Sequence, residues 1–121
     1  MFQNWPVEHS TLMVQKHIAG FVEGCDFAAR NGTLVAYCEG WSVRTDMLDG
    51  TGYGVEFLSE TPSEDILADT KAFVKAHDYS GPGLVQFIRE EGTGKIFFLE
   101  NNPRLSAGIA DVIYTGIDIP V

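Results

Sequence analysis

The 121-residue chain is long enough for one domain with one hydrophobic core, and an apolar content of 45% argues against an intrinsically disordered class. A formal net charge of −9 argues against nucleic acid as the main partner, because binding to a phosphate backbone needs many lysines and arginines. The chain has no apolar run of the ~20 residues that a membrane helix requires. Its two cysteines lack metal-ligand spacing and are typical of reduced thiols, so we expect a cytoplasmic protein.

The first predicted elements are strands. We expect residues 1–10 to form a loose entry segment, and they lack the pattern of a signal peptide. Residues 12–18 predict a first strand. Residues 24–30 and 33–38 predict two more, and the Asn-Gly pair between them is a strong hairpin signal.

A well-signalled helix follows a glycine-rich loop at residues 50–54 and a short strand predicted for residues 53–58. Residues 61–64, Thr-Pro-Ser-Glu, have the pattern of a capping box with proline at the first helical position. Apolar residues then recur at helical spacing. The helix should end near His77.

The C-terminal part predicts two strands and another helix. The strands cover residues 84–91 and 95–100, and the helix runs from about residue 106 to 114, with Gly116 as its stop. Antiparallel hairpins combined with two helices predict an α+β fold, mainly an antiparallel sheet.

The turn between the last two strands leads to a candidate site. If residues 92–94 form a three-residue loop, Glu91 lies opposite Lys95. The same register places Gln86 opposite Glu100, with Cβ atoms ~5 Å apart.

A third polar side chain belongs to this patch. Asn102 lies two residues beyond Glu100, so in an extended chain it points to the same face. Oxygen-bearing side chains of this kind suit Mg²⁺, and Arg104 is close enough in sequence to bind a phosphate oxygen. The alternative is that Gln86 and Glu100 are an ordinary polar pair on a solvated sheet face.

These residues resemble the closing segment of the ATP-grasp superfamily, most of all the carbamoyl phosphate synthetase large subunit and related amino-acid ligases. The matching stretches are residues 84–87, 98–106 and 116–120. The resemblance implies that Gln86, Glu100 and Asn102 hold the Mg²⁺ or Mn²⁺ ions of bound ATP. It also implies that Arg104 is the catalytic residue that reaches the transferring phosphate or the substrate.

The upstream residues resemble the family's nucleotide-binding half-site. Residues 14–20 resemble the hinge strand that contacts adenine, and Glu23 is the nearest carboxylate for the ribose, with Val22 at the family's position. Arg44 lies where the family has a basic phosphate contact. The upstream contacts implied in this way are Gln15, Lys16, His17, Ile18, Glu23 and Arg44.

The resemblance covers residues 11–121 and corresponds to the C-terminal subdomain of the ATP-grasp fold, without the N-terminal domain and the lid. It implies the ATP- and magnesium-binding portion of a carboxylate–amine or carbamoyl phosphate synthetase-like ligase. Such an enzyme acts on a small-molecule carboxylate through an acyl phosphate.

The same resemblance implies that turnover belongs to a parent ligase and that the isolated chain lacks it. A separate subunit, the missing half of the fold or a second copy would then cover an exposed apolar surface. An excised domain, a split-gene subunit and a degenerate remnant all fit the sequence. The alternative function is a non-catalytic nucleotide-binding or interaction module derived from this fold.

Overall fold

The computed structural model describes residues 14–45, 54–59, 62–108, 112, 113, 116, 117 and 119. Within these residues the chain forms five strands and one longer helix. In chain order they are β1 Gly20–Arg30, β2 Thr33–Thr45, β3 Gly54–Ser59, α1 Glu64–Ala76, β4 Gly81–Glu90 and β5 Ile96–Asn102. No helix in the described part of the chain is long and apolar enough to cross a bilayer.

The five strands form one sheet in the order β3-β2-β1-β4-β5, and every neighbouring pair is antiparallel. The predicted α+β class with a mainly antiparallel sheet is confirmed. The predicted second helix, residues 106–114, lies partly outside the described residues. Val112 and Ile113 are helical, and the Val112 N–H donates to the carbonyl of Gly108 at 3.2 Å. Ser106 itself is not helical.

The β1–β2 hairpin forms at the predicted Asn-Gly pair. Asn31 has φ 47° and Gly32 has φ 71°, the two positive values that a type I′ turn requires. The strand predicted over residues 12–18 is wrong for residues 14–18, which lie outside any strand. Residues 14–17 are exposed and Val14 is 93% accessible, so this segment buries no sheet face that would stabilise pairing.

The start of α1 differs from the predicted capping box. The helix begins at Glu64, with Ser63 as its N-cap, and Pro62 precedes the helix rather than opening it. The Ser63 hydroxyl donates to the two carboxylate oxygens of Glu39 on β2, at 3.0 and 3.1 Å, and the Ser63 N–H donates to the same group. Glu39 is only 5% exposed, so its carboxylate needs these donors. The helix ends at Ala76, as predicted.

Alternation along the strands gives the sheet two faces with separate cores. Helix α1 packs on one, here called the helix face, and Val112 and Ile119 pack on the other, here called the opposite face. The buried helix-face cluster contains Cys25, Phe27, Ala29, Ile66, Val74, Val85 and Phe87. The buried cluster of the opposite face contains Ala28, Cys38, Val112 and Ile119. Burial raises the pKa of the Cys25 thiol to about 12.

Close packing on the helix face yields a stability prediction for Gly83→Ala. An added Cβ at Gly83 would lie 2.5 Å from Cζ of Phe27, a fully buried ring. We expect the free energy of unfolding to fall by about 1–3 kcal/mol, measured by urea denaturation. Gly24→Ala is the matched control, because its Cβ would first meet the Cδ1 end of the flexible Leu84 side chain. Equal losses in both variants would contradict this account of the Gly83 contact.

Candidate functional site

Three polar side chains converge where β4 and β5 run side by side. Gln86 on β4 pairs with Glu100 on β5. The Asn102 side-chain amide donates to Oε1 of Gln86 at 3.2 Å and to Oε1 of Glu100 at 2.8 Å. The predicted convergence of these side chains on one face is therefore confirmed, while their role as metal ligands stays a prediction.

The turn that joins β4 to β5 is not the predicted three-residue loop. The Glu90 N–H donates to the carbonyl of Lys95 at 2.9 Å, and the Gly94 N–H donates to the carbonyl of Glu90 at 2.9 Å. Four residues, 91–94, therefore lie between the paired ends. The predicted pairing of Glu91 with Lys95 is wrong.

A β-bulge at Leu99 restores the register at the site. Phe87 pairs with Phe98, but the next residue, Gln86, pairs with Glu100, so Leu99 is an extra residue in β5. If β5 continued without the bulge, Gln86 would lie opposite Leu99, and Glu100 would point to the helix face. The bulge thus turns Glu100 toward the face that carries Gln86.

The donor set of the three side chains suits a hard cation. It consists of one carboxylate and two carboxamide groups. Glu100 is exposed, and Gln86 and Asn102 are partly buried, so the oxygens border solvent. Mg²⁺ takes oxygen ligands and commonly uses one or two carboxylates while keeping water and phosphate oxygens. The described residues contain no cluster of three or more His, Cys, Asp or Glu side chains that could hold a metal without such ligands.

Arg104 lies just beyond this group. Its N–H donates to the carbonyl of Asn102 at 2.8 Å, so the chain turns sharply at Pro103. Its guanidinium is exposed, and Nη1 donates to the carbonyl of Leu105 at 3.1 Å. The sharp turn thus follows Asn102 directly, and the Arg104 guanidinium beyond it is open to solvent.

Glu23 does not join the three converging side chains. Its Cα pairs with Phe87, which places its side chain on the helix face, whereas Gln86 points to the opposite face. Both carboxylate oxygens accept bonds from Arg89 Nε, at 2.9 and 2.8 Å. The ribose contact predicted for Glu23 stays a prediction, but its carboxylate is already bound by arginine.

The other predicted nucleotide contacts lie in the segment before β1 and on β2. Gln15, Lys16 and His17 are exposed, and Ile18 is partly buried in the segment before β1. Arg44 lies in β2, where its backbone pairs with Val55, and its side chain is outside what the structure describes. Residues 50–53 of the glycine-rich loop are outside the described residues.

Sequence reasoning missed Arg89, which contacts three separate parts of the chain. Beyond Glu23 on β1, its Nη1 donates to Asp65 at 2.7 Å and to the carbonyl of Gly94 at 2.8 Å. Its Nη2 donates to Asp65 at 3.1 Å and to the Ser63 hydroxyl at 3.3 Å. The guanidinium therefore links β1, the start of α1 and the β4–β5 turn.

These bonds change the protonation of the partners. The hydrogen bond from Arg89 lowers the pKa of the Asp65 carboxyl to about 2. Hydrogen bonds to Asp65 and Glu23 raise the pKa of the Arg89 guanidinium. A sequence signal for this network existed, because Arg89 shares strand parity with apolar Val85 and Phe87. An arginine on a buried face requires a carboxylate partner.

A known protein family matches the C-terminal part of the chain. The family described as carbamoyl-phosphate synthase L chain, ATP binding domain, matches residues 55–121, more than half of the chain. No curated protein matches the chain. The matched range contains Gln86, Glu100, Asn102 and Arg104. The chain therefore belongs to the family of the carbamoyl-phosphate synthase L chain ATP-binding domain and is an ATP-grasp-type nucleotide-binding module.

Proposed function

We propose that this chain is the ATP- and magnesium-binding portion of a carboxylate–amine or carbamoyl phosphate synthetase-like ligase that acts through an acyl phosphate. The observation that carries the proposal is the convergence of Gln86, Glu100 and Asn102 within the range that the family matches. A small-molecule carboxylate is the proposed substrate.

Each of these residues has a defined part in the proposal. Gln86, Glu100 and Asn102 would hold Mg²⁺, or Mn²⁺, through side-chain oxygens, with phosphate and water completing the shell. A bound cation offsets the charge of the phosphates during phosphoryl transfer. Arg104 would bind phosphate oxygens beside it. Because the chain has a net charge of −9, a bound metal ion and Arg104 would offset the repulsion that an approaching phosphate meets.

The upstream contacts belong to the same proposal. Residues 15–18 would contact the adenine, and Arg44 would contact a phosphate. A ribose contact by Glu23 would require its carboxylate to leave Arg89, so we propose the site without it.

We further propose that turnover requires a partner: the other half of an ATP-grasp fold, another subunit or a second copy. Strand β5 lies at the edge of the sheet, where Phe98 is 57% and Leu99 42% exposed. Exposed apolar groups on an edge strand support such an interaction.

Thermal melts with and without Mg-ATP test the binding proposal. We expect weak binding, and ligand at tenfold its Kd adds about 1.4 kcal/mol to the free energy of unfolding. Glu100→Gln should abolish the magnesium-dependent part of the stabilisation, and Arg104→Ala should weaken the phosphate-dependent part. Glu91→Gln, the same change at an exposed loop residue, is the matched control and should respond like the wild type.

Equal stabilisation of the wild type and all three variants would show that nucleotide binds elsewhere. A ligase assay on the chain assembled with its partner distinguishes the proposal from the second candidate, a non-catalytic nucleotide-binding module. The ion pair between Arg89 Nε and both carboxylate oxygens of Glu23 is the observation behind that candidate, because it engages the upstream carboxylate internally.

A further inference from the structure

The side-chain amide of Asn102 is a hydrogen-bond donor that lies between two oxygens of the site. Its nitrogen donates to Oε1 of Glu100 at 2.8 Å and to Oε1 of Gln86 at 3.2 Å. A carboxamide NH₂ has two hydrogens, enough for one bond to each acceptor. The nitrogen therefore occupies one acceptor site on each of two oxygens that a cation bound between them would also approach.

We propose that Asn102 acts as a two-state switch, whose NH₂ group bridges Gln86 and Glu100 until a divalent cation displaces it and the amide turns to present its oxygen. The proposal rests on the proposed function of this site, and adds to it the competition between an internal donor and the metal. Rotation of an asparagine amide exchanges its nitrogen and oxygen, and its terminal torsion is broad and roughly two-fold.

The two orientations of the Asn102 amide differ in whether they place a donor or an acceptor beside Gln86 and Glu100. With nitrogen toward Gln86 and Glu100, a donor faces two acceptors. With oxygen toward them, three acceptors converge, which is unfavourable unless a cation lies between them. Amide orientation and cation binding are therefore coupled.

Asn102→Asp removes the donating state and keeps the accepting state, because an ionised carboxylate accepts hydrogen bonds but cannot donate them. Asn31→Asp is the matched control. It makes the same chemical change at an exposed turn residue, whose left-handed backbone also suits aspartate. In EDTA, we expect Asn102→Asp to melt about 3–6 °C below Asn31→Asp. Equal melting temperatures would overturn the bridging role of the amide, whether or not the chain binds metal.

Titration with Mg²⁺ alone tests the cation-bound state, in which the amide presents its oxygen. The added carboxylate should tighten Mg²⁺ binding about fivefold relative to the wild type, while Asn31→Asp leaves the affinity unchanged. In the wild type, the NH₂ resonances of Asn102 should shift with the same midpoint as the Glu100 carboxylate carbon, and those of Asn31 should not move.

Two results would overturn the switch. In one, Glu100 responds to Mg²⁺ while the Asn102 amide does not. In the other, Asn102→Asp binds Mg²⁺ no more tightly than the wild type. If neither the wild type nor Asn102→Asp responds to Mg²⁺ with or without ATP, the proposed function fails and the switch fails with it. A response in the wild type combined with either overturning result leaves the proposed function standing.

Discussion

Replacing Arg89 with methionine is expected to lower the free energy of unfolding by about 3–5 kcal/mol, because it leaves a buried carboxylate without its partner. The Glu23 side chain is 8% exposed and both its oxygens accept from Arg89. The same change also removes the bonds from Arg89 to Asp65 and to the Gly94 carbonyl.

The control for Arg89→Met is the double variant Glu23→Gln/Arg89→Met, which removes the buried charge together with its partner. Urea unfolding should show that the double variant regains at least about half of the loss, since an uncharged glutamine is far less costly to bury. If the double variant is as unstable as the single one, the loss comes from Asp65 and the turn rather than from Glu23.

Phe87→Ala should cost about 3–5 kcal/mol, the usual range for truncating a buried phenylalanine. Phe87 is 1% exposed in the helix-face cluster, and its ring meets Phe98 edge-on, with ring centroids 6.2 Å apart. The cavity would open where Ile66 and Val85 pack in the same cluster.

Phe87→Leu is the matched control, because it keeps much of the buried volume and should cost about 1–1.5 kcal/mol. Both variants should be measured by urea unfolding, with the slope checked for constancy. A loss below about 1 kcal/mol for the alanine variant would mean that the ring is not packed as the structure shows.

The pairing of Gln86 with Glu100 was predictable, but the three-residue loop from which it was predicted is wrong. A three-residue loop gives that pairing with no irregularity. The protein instead has a four-residue loop, and the extra residue Leu99 compensates for the one-residue offset. Two local deviations cancel at the site, and turn propensity alone reveals neither.

Local signals succeeded wherever short-range chemistry decides the structure. The Asn31-Gly32 turn and the end of α1 followed from backbone preference. The start of α1 did not, because the Ser63 hydroxyl and N–H bind Glu39, which is 24 residues away in sequence. A capping pattern cannot anticipate a competing acceptor on another strand.

The roles of Glu23 and Arg89 were hidden for a similar reason. They lie 66 residues apart, and only the β1–β4 register brings them together on the helix face. The resemblance to the ATP-grasp superfamily implied that Glu23 lies near a nucleotide, whereas strand parity decides which side of the sheet its carboxylate reaches. A prediction that tracked parity across both strands would have separated Glu23 from Gln86.

The bulge at Leu99 has an evolutionary consequence for the length of the hairpin. In a chain without Leu99, the residue after Phe98 would be the glutamate, and unbroken pairing would set it opposite Gln86. Relatives with one residue fewer in this strand could thus keep the same pair of side chains. A search pattern that fixes the number of residues between the loop and the glutamate would overlook them.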